Sequence, residues 1–166
     1  MKIALIHLSD FHIKAGEHFL TEKVEGFVAA LNTLGEIDEY TVVFSGDLAY
    51  SGKVNEYKTS RKLLSRLIGE IKVKNKNKYV DLFLVPGNHD LNLPKTARTR
   101  RDIQSHYDEG SIESILDTEF SYLDNFYSFG DLTGKIPYDK LLSQRFRTYG
   151  DYKIQFNLIK KSYRFS

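Results

Sequence analysis

Three short apolar runs, each ending at a polar tip, most constrain the fold of this 166-residue chain. The runs "KIALIHL", "YTVVF" and "YVDLFLV" contain β-branched and aromatic residues, which predicts buried strands. Segments with apolar residues three and four positions apart separate the runs and predict amphipathic helices. Buried strands that alternate with helices favour parallel pairing by right-handed crossovers. Residues 1–94 are therefore predicted to form a βαβαβ unit of the α/β class.

Each of the two predicted helices carries one apolar face. In the first helix this face consists of Phe19, Leu20, Val24, Phe27, Val28, Leu31 and Leu34. Gly35 then follows at the position of a C-cap glycine. In the second helix the face consists of Tyr57, Leu64, Leu67, Ile68 and Ile71. We expect both faces to pack against the sheet.

The rest of the chain is less regular. Residues 95–150 are predicted to form a cap segment that is helical from Ser111 to Phe129 and loop-rich from Asp131 to Gly150. In the last segment, 151–166, the stretch Tyr152 to Ile159 partly alternates between apolar and polar residues. It is predicted to be a strand that returns to the sheet.

Composition limits the chemistry and the location of the chain. Cysteine is absent, which excludes disulfides and thiolate metal sites and fits a reducing compartment. The net charge of +2 is small for a nucleic-acid-binding protein. Nowhere do eighteen apolar residues follow one another, so no membrane-spanning helix is expected. We therefore expect a cytoplasmic protein.

Polar side chains with metal-binding chemistry follow all three predicted strands. Asp10 and His12 come after the first strand, Asp47 after the second, and Asn88, His89 and Asp90 after the third. If the chain stays extended beyond the first strand, Asp10 and His12 point to the same side. The carboxyl ends of neighbouring parallel strands meet at one edge of the sheet, where ligands bind in such folds. The sequence therefore predicts one site at this edge.

Carboxylate and amide oxygens together with imidazole nitrogens suit Mn²⁺, Fe or Zn²⁺. The central carboxylate, Asp47, is placed to bridge two ions, and such a pair can polarise a phosphoryl group. Taken singly, Asp10 suits a helix cap, "SGDL" suits a turn, and His7 suits a hydrogen-bonded core histidine. A turn does not require the sequence "GNHD". The polar residues that follow all three predicted strands, taken together, therefore favour a metal site.

The sequences "DFH", "GD" and "GNHD", at residues 10–12, 46–47 and 87–90, resemble the first three motif blocks of the calcineurin-like metallophosphoesterase family. The blocks lie about forty residues apart, as in that family. The resemblance covers roughly residues 1–95. It implies a β-sandwich flanked by helices, a centre with two divalent metal ions, and hydrolysis of phosphomonoesters, phosphodiesters or nucleic acids.

The resemblance also implies roles for individual residues. Asp10 and His12 would bind the first metal ion, Asp47 would bridge both, and Asn88 would bind the second ion and the phosphate. His89 would be the catalytic proton donor to the leaving oxygen or would stabilise the transition state. Asp90 would then be the catalytic partner that holds the His89 ring in one orientation.

Two later blocks of the family, a Gly-His pair and a Gly-His-x-His sequence, do not occur in this chain. The sequence thus matches only the N-terminal half of the sandwich, with a helical cap segment. Three explanations stay open. The chain is a fragment of a longer phosphoesterase, or another chain completes the sheet and the metal ligands, or it is a relative that binds phosphate or a partner without catalysis. We favour the fragment.

The substrate is expected to be a phosphoester, and nucleic acid is one candidate. Arg98 is predicted to contact substrate phosphate, and three further basic residues flank it: Lys95, Arg100 and Arg101. Aromatic residues of the cap segment, such as Tyr107 and Phe126, offer faces for bases. The competing interpretation is a solvated helix face for the basic residues and a small core for the aromatic ones. Neither a G-x-G-x-x-G nor a G-x-S-x-G sequence occurs, which argues against dinucleotide binding and against a serine hydrolase.

Overall fold

The computed structural model of the chain describes residues 1–16, 19–74, 76, 79–93, 121–129 and 142–159. Its elements in chain order are β1 (Ile3–Leu8), α1 (Phe19–Leu31), a 3-10 turn (Asn32–Leu34), β2 (Glu39–Phe44), α2 (Val54–Lys74), β3 (Val80–Leu84), α3 (Asp124–Phe129), β4 (Leu142–Tyr149) and β5 (Tyr152–Ile159). The predicted α/β class is confirmed. All three predicted strands and both helices of the first ninety residues are present.

A parallel sheet with the strand order β1-β2-β3 forms the centre of the fold. Ile3 pairs with Glu39 at one end of the β1–β2 ladder, and Leu8 pairs with Phe44 at the other. Phe44 in turn pairs with Leu84 of β3. All three strands therefore end at the same edge of the sheet, as the alternation of strands and helices predicts.

One face of the sheet packs against the helices. The strands contribute alternate residues to this core, namely Ala4, Ile6, Tyr40, Val42, Phe44, Val80 and Leu84. The helices contribute Val24, Val28, Leu64, Leu67 and Ile71, all from the predicted apolar faces. Leu34, also predicted to lie on the first face, is 51% exposed because α1 ends at Leu31 and the tighter 3-10 turn changes the residue spacing. Gly35 adopts a φ of 73°, as expected of a C-cap glycine.

The opposite face of the sheet is partly covered by the hairpin of β4 and β5. These strands pair antiparallel in a sheet of their own. Residues 142–149 therefore form a strand where the sequence predicted a loop-rich connection. The strand at Tyr152–Ile159 is confirmed, but the expectation that it returns to the first sheet is wrong, because β5 pairs with β4. The boundaries at residues 94 and 150 stay predictions.

Three kinds of contact hold the hairpin on the sheet. The hydroxyl groups of Thr41 and Tyr149, both fully buried, form a hydrogen bond. Phe156 stacks on Phe83 with ring centroids 4.4 Å apart. Arg147 forms an ion pair with Asp81, with Nε 2.7 Å from Oδ2. Burial raises the pKa of Asp81, although the neighbouring guanidinium acts in the opposite direction. The polar contacts thus lie between two sheets rather than on an open surface.

Part of the same face remains open among the described residues. Leu5 of β1, which lies beside the residues under the hairpin, is 62% exposed. The expectation that a further segment or another chain completes the sheet stays a prediction. No described helix is both long enough and apolar enough to cross a membrane, and the cytoplasmic location also stays a prediction.

The buried hydroxyl pair offers a test of how the hairpin docks. We expect Tyr149→Phe and Thr41→Val each to lower the free energy of unfolding by about 1–2 kcal/mol. Each variant removes the hydrogen bond and leaves the other buried hydroxyl without its partner. The double variant should cost no more than the worse single variant, since no unpaired group remains. Urea unfolding of the four proteins measures this, and additive losses would show that the two groups do not interact.

Candidate metal centre

The segments that follow β1 and β2 run side by side beyond the ends of the strands. The backbone N–H of Asp10 donates to the carbonyl of Gly46 (3.1 Å), and that of His12 donates to the carbonyl of Asp47 (2.9 Å). The N–H of Ile13 continues the series to the carbonyl of Leu48 (3.0 Å). This extension of the parallel ladder fixes the candidate ligands of both segments relative to one another.

The backbone at the three candidate ligands is left-handed rather than extended. The φ angles are 59° at Asp10, 46° at His12 and 58° at Asp47. The expectation that an extended chain places Asp10 and His12 on one side is therefore wrong. Two left-handed residues bring them together instead, while Phe11 between them packs edge-on against Phe44 with centroids 4.8 Å apart. Such conformations cost about 1–3 kcal/mol each and are typical of functional sites.

The side chains of these three residues converge. One ligand atom from each of Asp10, His12 and Asp47 lies within 4.8 Å of the others. His12 Nε2 lies 3.9 Å from Asp10 Oδ1. Two carboxylates and one imidazole at this spacing fit a divalent transition metal ion, which prefers mixed oxygen and nitrogen ligands. The structure thus brings together the three residues that were predicted to hold the first metal ion.

The turn after β3 approaches the turn after β2 so closely that only glycine fits. A Cβ atom on Gly87 would lie 2.2 Å from Asp47 Oδ1, and one on Gly46 would lie 2.9 Å from the Cα of Gly87. The approach lets the backbone N–H of His89 donate to Asp47 Oδ1 at 2.8 Å. The N–H group of His89, in the turn after β3, therefore orients one oxygen of the Asp47 carboxylate.

His89 lies beside His12 and is oriented by a backbone carbonyl. The two imidazole rings meet edge to face with centroids 4.3 Å apart. Nδ1 of His89 lies 2.9 Å from the carbonyl oxygen of Tyr50. Because a carbonyl only accepts, Nδ1 is the ring nitrogen that donates in this hydrogen bond. Asn88 is exposed in the same turn, and its role as a ligand stays a prediction.

Asp90 does not hold the His89 ring, contrary to the expectation from the sequence. Its carboxylate is fully buried and accepts hydrogen bonds from the N–H groups of Leu48 (3.3 Å), Ala49 (2.9 Å) and Gly87 (2.9 Å). The hydroxyl of Tyr57, on α2, donates to it at 3.0 Å. Burial raises the pKa of Asp90, and these donors act against that rise. The residue ties the turns after β2 and β3 to each other and to α2.

Sequence reasoning missed two residues of this arrangement. Tyr50 acts through its backbone carbonyl, for which no sequence signal exists. Tyr57 was assigned to the apolar face of α2, where its ring does pack, and its hydroxyl had no predicted partner. His7 is hydrogen-bonded to Ser45 (2.6 Å), as predicted, but it is exposed rather than in the core. Arg98, predicted to bind substrate, lies outside the described residues.

Comparison with known proteins agrees with this geometry. A family model described as calcineurin-like phosphoesterase matches residues 3–163. The match includes all three strand tips and nearly the whole chain. No protein in the curated set of sequences matches the chain.

The close approach at Gly87 should control metal binding. Gly87→Ala places a methyl group where the Asp47 carboxylate lies, so we expect the affinity for Mn²⁺ to fall by at least about tenfold. Gly69→Ala, on α2 with open space around it, is the matched control and should bind Mn²⁺ as the wild type does. Isothermal titration calorimetry measures both. Equal affinities for all three proteins would contradict the assigned position of Asp47.

The buried carboxylate of Asp90 should be essential to the shape of the site. In Asp90→Asn an amide NH₂ group faces N–H and O–H donors. We therefore expect the free energy of unfolding to fall by about 2–4 kcal/mol. The affinity for Mn²⁺ should fall as well, because one of the two oxygens that accept N–H groups from the turns is replaced by a donor. Asp151→Asn, at an exposed position, is the control. Urea unfolding and calorimetry would disprove the role if Asp90→Asn behaved like Asp151→Asn.

Proposed function

The chain belongs to the calcineurin-like phosphoesterase family, and we propose that it hydrolyses phosphoesters at a centre of two divalent metal ions. The observation that carries the proposal is the convergence of Asp10, His12 and Asp47 within 4.8 Å. Beside this group lies an imidazole, His89, whose ring is 4.3 Å from that of His12. Metal ligands and an acid–base group next to them are what such hydrolysis requires.

In this proposal Asp10, His12 and Asp47 hold the first ion, and Asp47 and Asn88 contribute to the second. The oxygen and nitrogen donors favour Mn²⁺, Fe or Zn²⁺. When bound, the ions supply Lewis-acid activation of the phosphoryl group and of water. Asn88 supports the second position because it is exposed one residue before His89, whose N–H group is bonded to Asp47.

His89 is proposed to protonate the leaving oxygen. The Tyr50 carbonyl keeps Nδ1 protonated, so the transferred proton comes from Nε2 of the doubly protonated ring. After the transfer, Nδ1 still donates to the carbonyl of Tyr50 and the ring keeps its orientation. Asp90 contributes by holding the turn that carries His89, through its bond to the N–H of Gly87.

The substrate class proposed from the sequence is a phosphomonoester, a phosphodiester or a nucleic acid. The basic residues that suggested nucleic acid, Arg98 among them, lie outside the described residues. Among the described residues, the Tyr50 ring lies 5.9 Å from the His89 ring, and the Lys14 ammonium group lies 4.7 Å from the Tyr50 ring.

Two substitutions separate metal binding from acid catalysis. With Mn²⁺ and bis-p-nitrophenyl phosphate, we expect Asp47→Asn to lose both Mn²⁺ affinity, by more than about tenfold, and hydrolysis. His89→Ala should keep Mn²⁺ affinity and lower kcat by about 10²–10⁴-fold. Removal of the metal with EDTA should abolish hydrolysis, and added Mn²⁺ should restore it.

The same experiment distinguishes the proposed hydrolase from the alternative, a binding module without catalytic activity. Wild-type protein that binds Mn²⁺ but does not hydrolyse the ester would be a binding module that retains the metal ligands. Equal rates of hydrolysis by the wild type and Asp47→Asn would contradict the assignment of the catalytic site. Asp151→Asn, at an exposed position, controls for the loss of a carboxylate elsewhere.

A further inference from the structure

The strand β3 lies at one end of the parallel sheet, and its outer edge has no partner strand among the described residues. The N–H and C=O groups of one strand residue point to the same side, and consecutive residues alternate. The N–H of Val85 donates to the carbonyl of Phe44 on β2 (2.9 Å), so the backbone groups of Val80 and Leu82 point away from β2. These two residues therefore present backbone donors and acceptors at the outer edge of the sheet.

A cavity of about 570 Å³ lies along this edge, between α2 and the hairpin. The helix lines it with Ile68, Gly69 and Lys72, the strand lines it with Tyr79–Phe83, and Arg145 borders it on the side of the hairpin. Its volume is within the range of roughly 300–1,000 Å³ that is typical of ligand pockets. None of the candidate metal ligands lines the cavity, so it is separate from the metal centre.

The lining of the cavity differs between the two faces of the sheet. On the face of the helices, Leu82 and Ile68 are partly buried and pack against the core, so the lining there is apolar. On the face of the hairpin, the guanidinium carbon of Arg145 lies 6.0 Å from the centroid of the Phe83 ring. A segment that continued the sheet beside β3 would direct alternate side chains to these two faces. The edge therefore suits a strand with apolar residues on one side and polar residues on the other.

The charged side chains of the lining favour an acidic ligand. Lys72 and Arg145 are cations, and Asp81 is the one acidic residue among those that line the cavity. The carboxylate of Asp81 is already paired, because its Oδ2 lies 2.7 Å from Nε of Arg147. Within the described part of the chain, neither Lys72 nor Arg145 forms an ion pair. Carboxylates of a ligand would therefore meet two cations without displacing an acidic residue of the protein.

We propose that this cavity binds an extended peptide of alternating apolar and acidic residues, which adds to the outer edge of β3 as a further strand. Backbone hydrogen bonds to Val80 and Leu82 supply affinity, the apolar side chains face Ile68, and the acidic side chains face Arg145. Because five residues of β3 line the cavity, a pentapeptide matches its length. The inference is independent of the proposed hydrolysis, since the metal centre does not contribute to the cavity.

Fluorescence anisotropy with three labelled pentapeptides tests the proposed strand addition. The probe has the sequence EVEVE, an amidated C-terminus and fluorescein at its N-terminus. One comparison peptide, KVKVK, reverses the charges, and the other is EVEVE with every peptide nitrogen methylated, which removes the backbone donors. We expect EVEVE to bind at least about tenfold more tightly than either comparison peptide. Equal binding of the methylated peptide would show attraction by charge alone and would overturn the proposal.

Gly69 allows the cavity to be filled without loss of the fold. A Cβ atom at Gly69 would have no other atom within 4 Å, so the side chain of Gly69→Leu has space to enter the cavity. Leucine is also favoured over glycine in helices, which preserves α2. We expect Gly69→Leu to weaken EVEVE by at least about tenfold, because the side chain occupies the place of the peptide. Gly26→Leu, at an equally open position on α1, is the matched control and should bind EVEVE as the wild type does.

Charge reversal tests the preference for acidic residues. Arg145→Glu and Lys72→Glu should each weaken EVEVE and strengthen KVKVK, because each removes a cation of the lining and adds a carboxylate. Lys153→Glu on β5 and Lys74→Glu at the end of α2 are the matched controls, since neither residue lines the cavity. Both controls should bind the two peptides as the wild type does. Urea unfolding of each variant verifies that the fold is retained.

Sedimentation velocity without peptide distinguishes a peptide ligand from a second copy of the chain. A wild-type dimer that Gly69→Leu dissociates, together with no binding of EVEVE, would show that the edge pairs with another copy and would overturn the proposal. EVEVE that binds equally to the wild type, Gly69→Leu and Arg145→Glu would overturn it as well, because the peptide would then occupy another surface. Binding that both variants weaken and the control variants preserve supports the proposal, whether or not the protein hydrolyses phosphoesters.

Discussion

The buried carboxylate of Asp90 is the contact on which the rest of the site depends. It accepts N–H groups from the turn after β2, at Leu48 and Ala49, and from the turn after β3, at Gly87. Both turns carry candidate metal ligands, and neither is held in place by sheet pairing alone. A buried carboxylate without donors would be strongly unfavourable, so burial and the donors together specify one arrangement of the turns. The geometry of the candidate ligands therefore depends on a residue that is not itself one of them.

The left-handed conformations of Asp10, His12 and Asp47 require such support. Each is unfavourable for a residue with a side chain, and a short isolated loop would relax to other angles. Here the backbone ladder between the two segments and the packing of Phe11 on Phe44 oppose relaxation. Among the described residues, three of the four left-handed non-glycine positions are thus those whose side chains converge, and the fourth is Lys76.

The order of elements and the location of the site could be predicted because they depend on local patterns. Apolar runs and helical spacing are visible in the sequence, and parallel pairing then brings the strand ends together. The strand β4 was missed because Arg145 and Arg147 occupy the face that packs on the sheet, so its pattern resembles that of an exposed loop. The role of Asp90 was missed for a different reason. Whether a side chain in a tight turn points inward or towards its neighbour depends on the turn's dihedral angles, which the sequence "GNHD" does not reveal.

The orientation of His89 by a carbonyl, rather than by a carboxylate, affects the electrostatics of the whole centre. A carboxylate behind the imidazole would add a full negative charge next to a site that already contains Asp10 and Asp47. The Tyr50 carbonyl fixes the tautomer with a dipole only, and the buried Asp90 charge is turned towards N–H groups instead. The negative potential is thus concentrated at the two converging carboxylates, Asp10 and Asp47, beside the imidazole of His12.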